Sequence, residues 1–354
     1  MKTYKHLWED LVSDQNIATA IHRAGLGNKD KRTKLKLRRM EENKEKYIPY
    51  FKNYAEHFKN AKHEPVEIYD GISRKKRTII VPTPREQVIH HMVVGVLKPI
   101  FMKSMYQHSY GSIPGRGPHK AKRQLEKWLP SKYVLKIDVH HYFDSVNQNI
   151  LIRKLERIIK DEKFMNLLKE IISVLDHGIP LGFYTSQWFA NFYLTDLDHY
   201  ITSELGFGKM QRYMDDIVVL DNSKKKLHKL LKKIEAYLKK LDLQLKANWQ
   251  VFRFDYFSNG RRKGRFIDFM GFRFYRDKTT LRRSIMLKAT RKAKRISKKS
   301  KVTWYDASQM LSYTGYFRCT DTRGCFDKYI NSKVSIRRLK RKVSKHSKCL
   351  MKSA

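Results

Sequence analysis

Arg212-Tyr213-Met214-Asp215-Asp216-Ile217-Val218-Val219-Leu220 sets two adjacent acids immediately before four apolar residues. The apolar run reads as a buried strand, so its carboxylates sit where burial drives them to take up protons unless a cation balances them. A second run, Val134-Leu135-Lys136-Ile137, ends on Asp138 and is followed by Phe143-Asp144. Two strands that each deliver acid at one end can build one site. Asp138, Asp215 and Asp216 together offer the hard oxygen donors that Mg²⁺ prefers beside water and phosphate. Two such ions, roughly 3.5–4 Å apart, can activate an attacking hydroxyl and neutralise a leaving phosphate group. For a lone pair of acids, a solvated Asp-Asp turn is the plain alternative.

Working outward, residues 130–277 alternate β-rich runs with amphipathic helices, an α+β pattern. One helix sets Leu227, Leu230, Leu231, Ile234, Leu238 and Leu241 on one face and lysines on the other. Upstream, strands at 66–69 and 78–81 flank the basic turn Ser73-Arg74-Lys75-Lys76-Arg77, and a helix starts at Pro84-Arg85-Glu86. The first 62 residues read as basic helices, with Tyr47, Tyr50, Phe51, Tyr54 and Phe58 at helical spacing as packing residues. Residues 252–265, with Ser258-Asn259-Gly260 inside them, read as a β-hairpin with a basic tip. Ten Lys or Arg lie between Arg282 and Lys301 without an acid. A helix over 303–318 then turns Ala307, Met310, Leu311, Thr314 and Phe317 inward, and a second basic run covers 333–352.

Composition narrows the class. Lys and Arg number 76 against 34 Asp and Glu, a formal charge of +42, which calls for a polyanionic partner. A content of 41% hydrophobic and 12% aromatic residues excludes a disordered basic tail. Cys319, Cys325 and Cys349 are odd in number and lack CxxC spacing, which predicts no zinc site and a reducing compartment. The chain starts with acids where a signal peptide needs an apolar run, and no stretch is long and apolar enough to span a bilayer. A soluble cytoplasmic protein with no membrane partner is expected.

At this point the chain resembles the reverse transcriptases, in order along most of its length. Residues 138–144 resemble motif A, and Tyr213-Met214-Asp215-Asp216 resembles the YxDD of motif C. Lys76-Arg77-Thr78-Ile79-Ile80-Val81-Pro82 resembles the fingers motif. Ser109-Tyr110-Gly111-Ser112-Ile113-Pro114-Gly115-Arg116-Gly117 resembles the next motif of group II intron-like enzymes, and Phe269-Met270-Gly271-Phe272 the turn that supports a primer end. The resemblance implies an α+β right-hand polymerase fold. Its parts would be a basic helical extension over 1–62, fingers over 63–137 interleaved with the palm, a palm with an antiparallel sheet over 138–277, and a basic helical thumb and tail over 278–354.

The implied roles follow residue by residue. Asp138 and Asp215 would hold two Mg²⁺ ions, replaceable by Mn²⁺; Asp216 would complete the acidic pair, and the Val139 carbonyl would add an oxygen ligand. The backbone near His141 and Tyr142 would receive the triphosphate, Phe143 would act as the steric gate against a ribose 2′-hydroxyl, and Arg77, with Lys75, would lie against the incoming dNTP. Lys246 would be the motif D residue that protonates pyrophosphate. His140 and His141 are left out of the metal set, since adjacent strand residues face opposite ways. Met270 and Gly271 would support the primer end; Arg282, Arg283, Arg291, Lys292, Lys294 and Arg295 would meet the cDNA/RNA hybrid.

Within that family, Gly178-Ile179-Pro180-Leu181-Gly182-Phe183-Tyr184-Thr185-Ser186-Gln187 carries Leu181 where most relatives have Gln and Gln187 where they have Pro. This pattern is similar to the reverse transcriptases of diversity-generating retroelements. The similarity implies copying of a template-repeat RNA into cDNA with errors concentrated at adenine, Leu181 and Gly182 lying at the nucleotide, Arg77, Leu181 and Gln187 setting fidelity, and a small basic oligomeric variability protein as accessory partner. A retron or intron-type enzyme of ordinary fidelity, or a basic RNA-binding scaffold without activity, are the alternatives.

Overall fold

Thr83 opens a 21-residue helix, Pro84–Ser104, with a reciprocal cap: its hydroxyl accepts from the Glu86 amide while Glu86 accepts from the Thr83 amide. Val88, Ile89, Met92, Val93, Val94, Leu97 and Phe101 are all buried along it, so the helix is apolar on most sides and forms the axis of a core. The computed structural model describes residues 2–26, 30–69 and 76–352, with backbone alone over 346–352. The chain divides into two compact units. One comprises Met1–Arg116, Lys136–Ile217 and His228–Trp249; the other comprises Gly117–Leu135, Val218–Leu227 and Gln250–Ala354.

In the first unit, helices Asp14–Leu26 and Tyr184–Tyr193 pack on the long helix. Helix Lys44–Glu56 carries most of the expected aromatic stripe, with Phe51 buried and Tyr50 stacked on Tyr54 at 5.7 Å, and Phe58 is buried just past the helix end. Strands β1 (Pro65–Tyr69) and β2 (Lys76–Ile80) form an antiparallel ribbon with Val66 opposite Ile79 and Ile68 opposite Arg77. Lys75 and most of the expected basic turn lie outside the described residues. Strand β3 (Tyr133–Asp138) has β5 (Asp216–Asp221) as a neighbour, and β5 is flanked in turn by β4 (Met210–Tyr213). Val134, Leu135 and Ile137 of β3 and Ile217, Val218, Val219 and Leu220 of β5 are all at most 2% exposed. The two apolar runs are thus buried strands, as their composition predicts.

In the second unit, β6 (Gln250–Arg253) neighbours β3, and β7 (Tyr256–Ser258) pairs antiparallel with β8 (Arg261–Lys263). Strands β9 (Ile267–Phe269), β10 (Phe272–Phe274) and β11 (Thr279–Leu281) make a separate antiparallel meander. Helix Arg283–Ser297 buries Ile285, Ala289, Ala293 and Ile296, and helix Trp304–Arg318 buries Ala307, Met310, Thr314 and Phe317, while Leu311 is half-buried. The expected α+β class holds. No helix among the described residues is long and apolar enough to cross a membrane.

Candidate active site

The turn between β4 and β5 is tight: Tyr213 ends one strand, Asp216 begins the next, and Met214 adopts the left-handed region at φ 57°. A non-glycine residue there costs on the order of 1–3 kcal/mol and persists where the surroundings over-determine it. Three groups hold this turn. Arg212 Nη1 donates to the Met214 carbonyl at 3.0 Å, Asn191 Nδ2 reaches Met214 Sδ at 3.3 Å, and Gly111 lies against the Met214 backbone. A Cβ on Gly111 would stand 2.6 Å from the Met214 nitrogen. Gly111→Ala is therefore expected to displace the turn and lower stability by about 1–3 kcal/mol, measured by thermal melting.

Behind the turn lies a fully buried ion pair. Arg212 donates to both Asp198 oxygens, at 2.7 and 2.6 Å, and its remaining N–H groups go to Asn191. Burial opposes the guanidinium charge, yet the Asp198 carboxylate outweighs it and raises the arginine pKa. The Arg212 backbone bonds both ways with 108–110, receiving Tyr110 N–H at 2.9 Å and donating to His108 at 3.1 Å. Arg212, Asp198 and Asn191 escaped the sequence reading. The available signal was an arginine inside the strand-forming Met210-Gln211-Arg212-Tyr213, a position that needs a buried partner; nothing in the sequence marks Asp198 as that partner.

Asp215 sits on the turn and Asp138 at the end of β3, and the two carboxyls interact. Burial raises the Asp215 pKa, Asp138 raises it further, and Lys246 works in the opposite direction. The Val139 amide donates to the Asp215 carbonyl at 3.3 Å. Lys246 lies against Asp138 twice, its ammonium donating to Oδ1 and its amide to the carbonyl, the latter at 2.9 Å. Loose sequence spacing hid this contact, which follows from residues 244–246 pairing with 138–140. Asp216 is placed differently: its Oδ2 is 3.8 Å from Lys136 Nζ. Among the described residues no group of three His, Cys, Asp or Glu side chains is gathered for a metal ion. The facing pair, Asp138 and Asp215, still fits a hard divalent ion by donor chemistry, because burial and the neighbouring Asp138 raise the Asp215 pKa and mark a carboxylate short of positive charge.

After Val139 the chain leaves the strand. His141 takes φ 39°, and the His140 and His141 rings stand 4.2 Å apart. The alternation argument used to separate these histidines does not apply to a turn. The short helix Tyr142–Ser145 follows; Tyr142 is buried with its hydroxyl donating to the Ala190 carbonyl, while Phe143 is half-buried. The Phe143 carbonyl accepts from Ile179, and Gly178, at φ 73°, passes so close that a Cβ would stand 2.7 Å from the Asp144 oxygen.

The Leu181 carbonyl accepts from the Ile80 amide at 2.7 Å, and a Cβ on Gly182 would stand 2.1 Å from the Ile80 oxygen. Gly182 and Gln187 line one cavity of about 650 Å³ with Ile79, Ile80, His90 and His91. Burial lowers the pKa of His90 to about 3 and that of His91 to about 4, so both are neutral. Arg77 is exposed on β2.

In the second unit, Met270 and Gly271 form the β9–β10 turn with φ 52° and 86°, and the Gly271 carbonyl accepts from Arg282 at 2.8 Å. Two cations expected at nucleic acid are engaged internally. Lys292 is 8% exposed and donates to Asp306 at 2.8 Å, and Arg282 is paired with Asp268. The helix turns Lys292 inward with Ala289 and Ala293, a placement its i, i+3, i+4 spacing allows. Arg283, Arg291, Lys294 and Arg295 face solvent.

Residues 61–274, more than half of the chain, match the family model described as "Reverse transcriptase (RNA-dependent DNA polymerase)". The chain belongs to the reverse transcriptase family. Over 207 residues it is 28% identical to the Retron Ec73 reverse transcriptase of Escherichia coli, covering 54% of this chain and 64% of that protein. It is 26% identical over 186 residues to the group II intron-encoded protein LtrA of Lactococcus lactis subsp. cremoris, covering 49% of this chain and 30% of LtrA. These matches span less than two thirds of either relative. A solved telomerase of Candida tropicalis, in complex with a fragment of telomeric RNA, overlaps 84% of this chain and 54% of its own, at 12% identity and a TM-score of 0.49. Reverse transcriptase domains generally use divalent metal ions, which agrees with the facing carboxylates.

Proposed function

We propose that this chain is an RNA-directed DNA polymerase of a diversity-generating retroelement, copying a template-repeat RNA into cDNA with misincorporation concentrated opposite adenine. The observation that carries the polymerase reading is the pairing of Asp138 with Asp215 on the strand ends of a chain in this family. In this reading the palm runs over 138–277, the fingers over 63–137 and the thumb over 278–354, with 1–62 as an extension. Asp138, Asp215 and the Val139 carbonyl would hold two Mg²⁺ ions, which would supply activation of the primer 3′-hydroxyl and charge neutralisation at the leaving pyrophosphate, and Asp216, which lies toward Lys136, would complete the acidic pair. Lys246, whose ammonium donates to Asp138, would be the residue that protonates the leaving pyrophosphate. Phe143, held through its carbonyl by Ile179, is the steric gate that favours dNTPs.

The subfamily reading rests on Leu181 and Gln187. A glutamine at 181 would hydrogen-bond the nucleotide, whereas leucine offers apolar contact alone, a difference of about 0.5–1.5 kcal/mol in positioning. A tenfold change in selection needs ~1.4 kcal/mol. Leu181→Gln is accordingly expected to reduce errors opposite template adenine several-fold, read by deep sequencing of cDNA; an unchanged error spectrum would remove Leu181 from the account.

Primer extension on an RNA template with dNTPs and Mg²⁺, with and without a basic oligomeric accessory protein, tests the whole reading. An adenine-biased error spectrum supports it. Faithful copying of adenines would favour instead a retron-type or group II intron-like enzyme, the reading to which the sequence matches lean. Binding of RNA without synthesis would indicate a scaffold.

A further inference from the structure

The β7–β8 ribbon takes no part in the site above. Its turn, Asn259-Gly260, has φ 52° and 69°, the pair of left-handed residues that a tight two-residue hairpin needs. The register sets Tyr256 opposite Lys263 and Ser258 opposite Arg261 on one face, and Phe257 opposite Arg262 on the other. Guanidinium planes lie over rings on both: Arg253 stands 4.3 Å from the Tyr256 centroid, and Arg262 4.8 Å from Phe257. Arg262 is tied down by Asp255 at 3.2 Å and by Asp277, so it anchors the ribbon.

The other cations are differently placed. Arg253, Arg261, Lys263 and Arg265 are exposed and have no carboxylate partner among the described residues. Asp255, the single acid within 250–265, is 2% exposed, whereas Phe257 is 56% exposed. Cations alone would attract any polyanion. Cations on one face of a narrow ribbon and an exposed ring on the other suit an unpaired strand that can wrap its edge and present base faces, which a duplex hides.

We propose that the β7–β8 ribbon is a docking site for single-stranded RNA, with Arg253, Arg261, Lys263 and Arg265 on phosphates and Phe257 under a base. The site binds RNA whether or not the chain synthesises DNA. The test therefore uses the full chain carrying Asp215→Asn, so that failure of the polymerase reading, seen as absence of extension by the unaltered chain, is scored separately.

Fluorescence anisotropy is measured with a labelled unpaired RNA oligonucleotide and with a blunt RNA duplex over a salt series. Arg261→Ala with Lys263→Ala is expected to weaken the unpaired RNA about tenfold and to flatten its log–log salt slope by roughly 1.4, about 0.7 for each phosphate that is no longer neutralised. Phe257→Ala is expected to weaken the unpaired RNA about tenfold while sparing both the salt slope and duplex affinity. Unchanged binding in both variants, with unchanged thermal melting, would overturn the proposal. So would equal losses on unpaired RNA and duplex in Phe257→Ala, which would make the ribbon a general polyanion surface.

Discussion

Asp215→Asn is expected to lower primer extension by about a thousandfold or more while leaving RNA affinity within twofold. Loss of one carboxylate from the facing pair removes several kcal/mol of transition-state charge stabilisation, and each 1.36 kcal/mol is a decade of rate. Stability should move the other way. Burial and Asp138 hold the Asp215 pKa above its ordinary value. The native state therefore binds its proton more tightly than the unfolded chain, for which the pKa is about 3.9, and stability falls as pH climbs from there through the raised native value. In metal-free buffer at neutral pH the asparagine variant should thus melt at or above the temperature of the unaltered chain. Adding Mg²⁺ should raise the melting temperature of the unaltered chain and leave that of the variant nearly fixed. A variant that extends primers at an undiminished rate would end the assignment of Asp215 to the reaction.

The second large effect concerns the ion pair behind the turn. Arg212→Ala leaves the Asp198 carboxylate buried without its partner, a change expected to cost about 3–5 kcal/mol of folding stability. Folding and chemistry can be separated here. Replacing both residues with apolar side chains, Arg212→Met with Asp198→Leu, should recover most of that stability, since a buried pair is frequently no better than hydrophobic packing. It should not recover rate, because the Arg212 guanidinium is also the donor to the Met214 carbonyl that fixes the Asp215 turn. Denaturant melts and single-turnover extension of the single and double variants check both halves. Full activity in a refolded double variant would show that Arg212 serves packing alone.

Much of this architecture was legible beforehand. Continuous apolar runs such as Ile217-Val218-Val219-Leu220 have few solutions other than a strand buried on both faces, and the leucines from 227 to 241 name their own helix face. Asn259-Gly260 announced its hairpin. Long-range pairings were not legible. Lys246 meets Asp138 across 108 residues and Arg212 meets Asp198 through a fold that no local pattern encodes. Local rules also misplaced two kinds of side chain. The histidines at 140 and 141 sit on a turn rather than a strand, and Lys292 of a uniformly basic helix is folded inward to meet Asp306. A count of charges says how many cations a helix has, but the partner element decides which of them reach solvent.

The bond between Ile80 and the Leu181 carbonyl has a corollary. Position 181 contributes only its main-chain carbonyl, which all twenty amino acids possess, so any residue there inherits the same anchorage. The side chain there is an interchangeable part on a fixed mount. A substitution at 181 therefore alters the surface presented there while the main-chain tie to Ile80 stays in place.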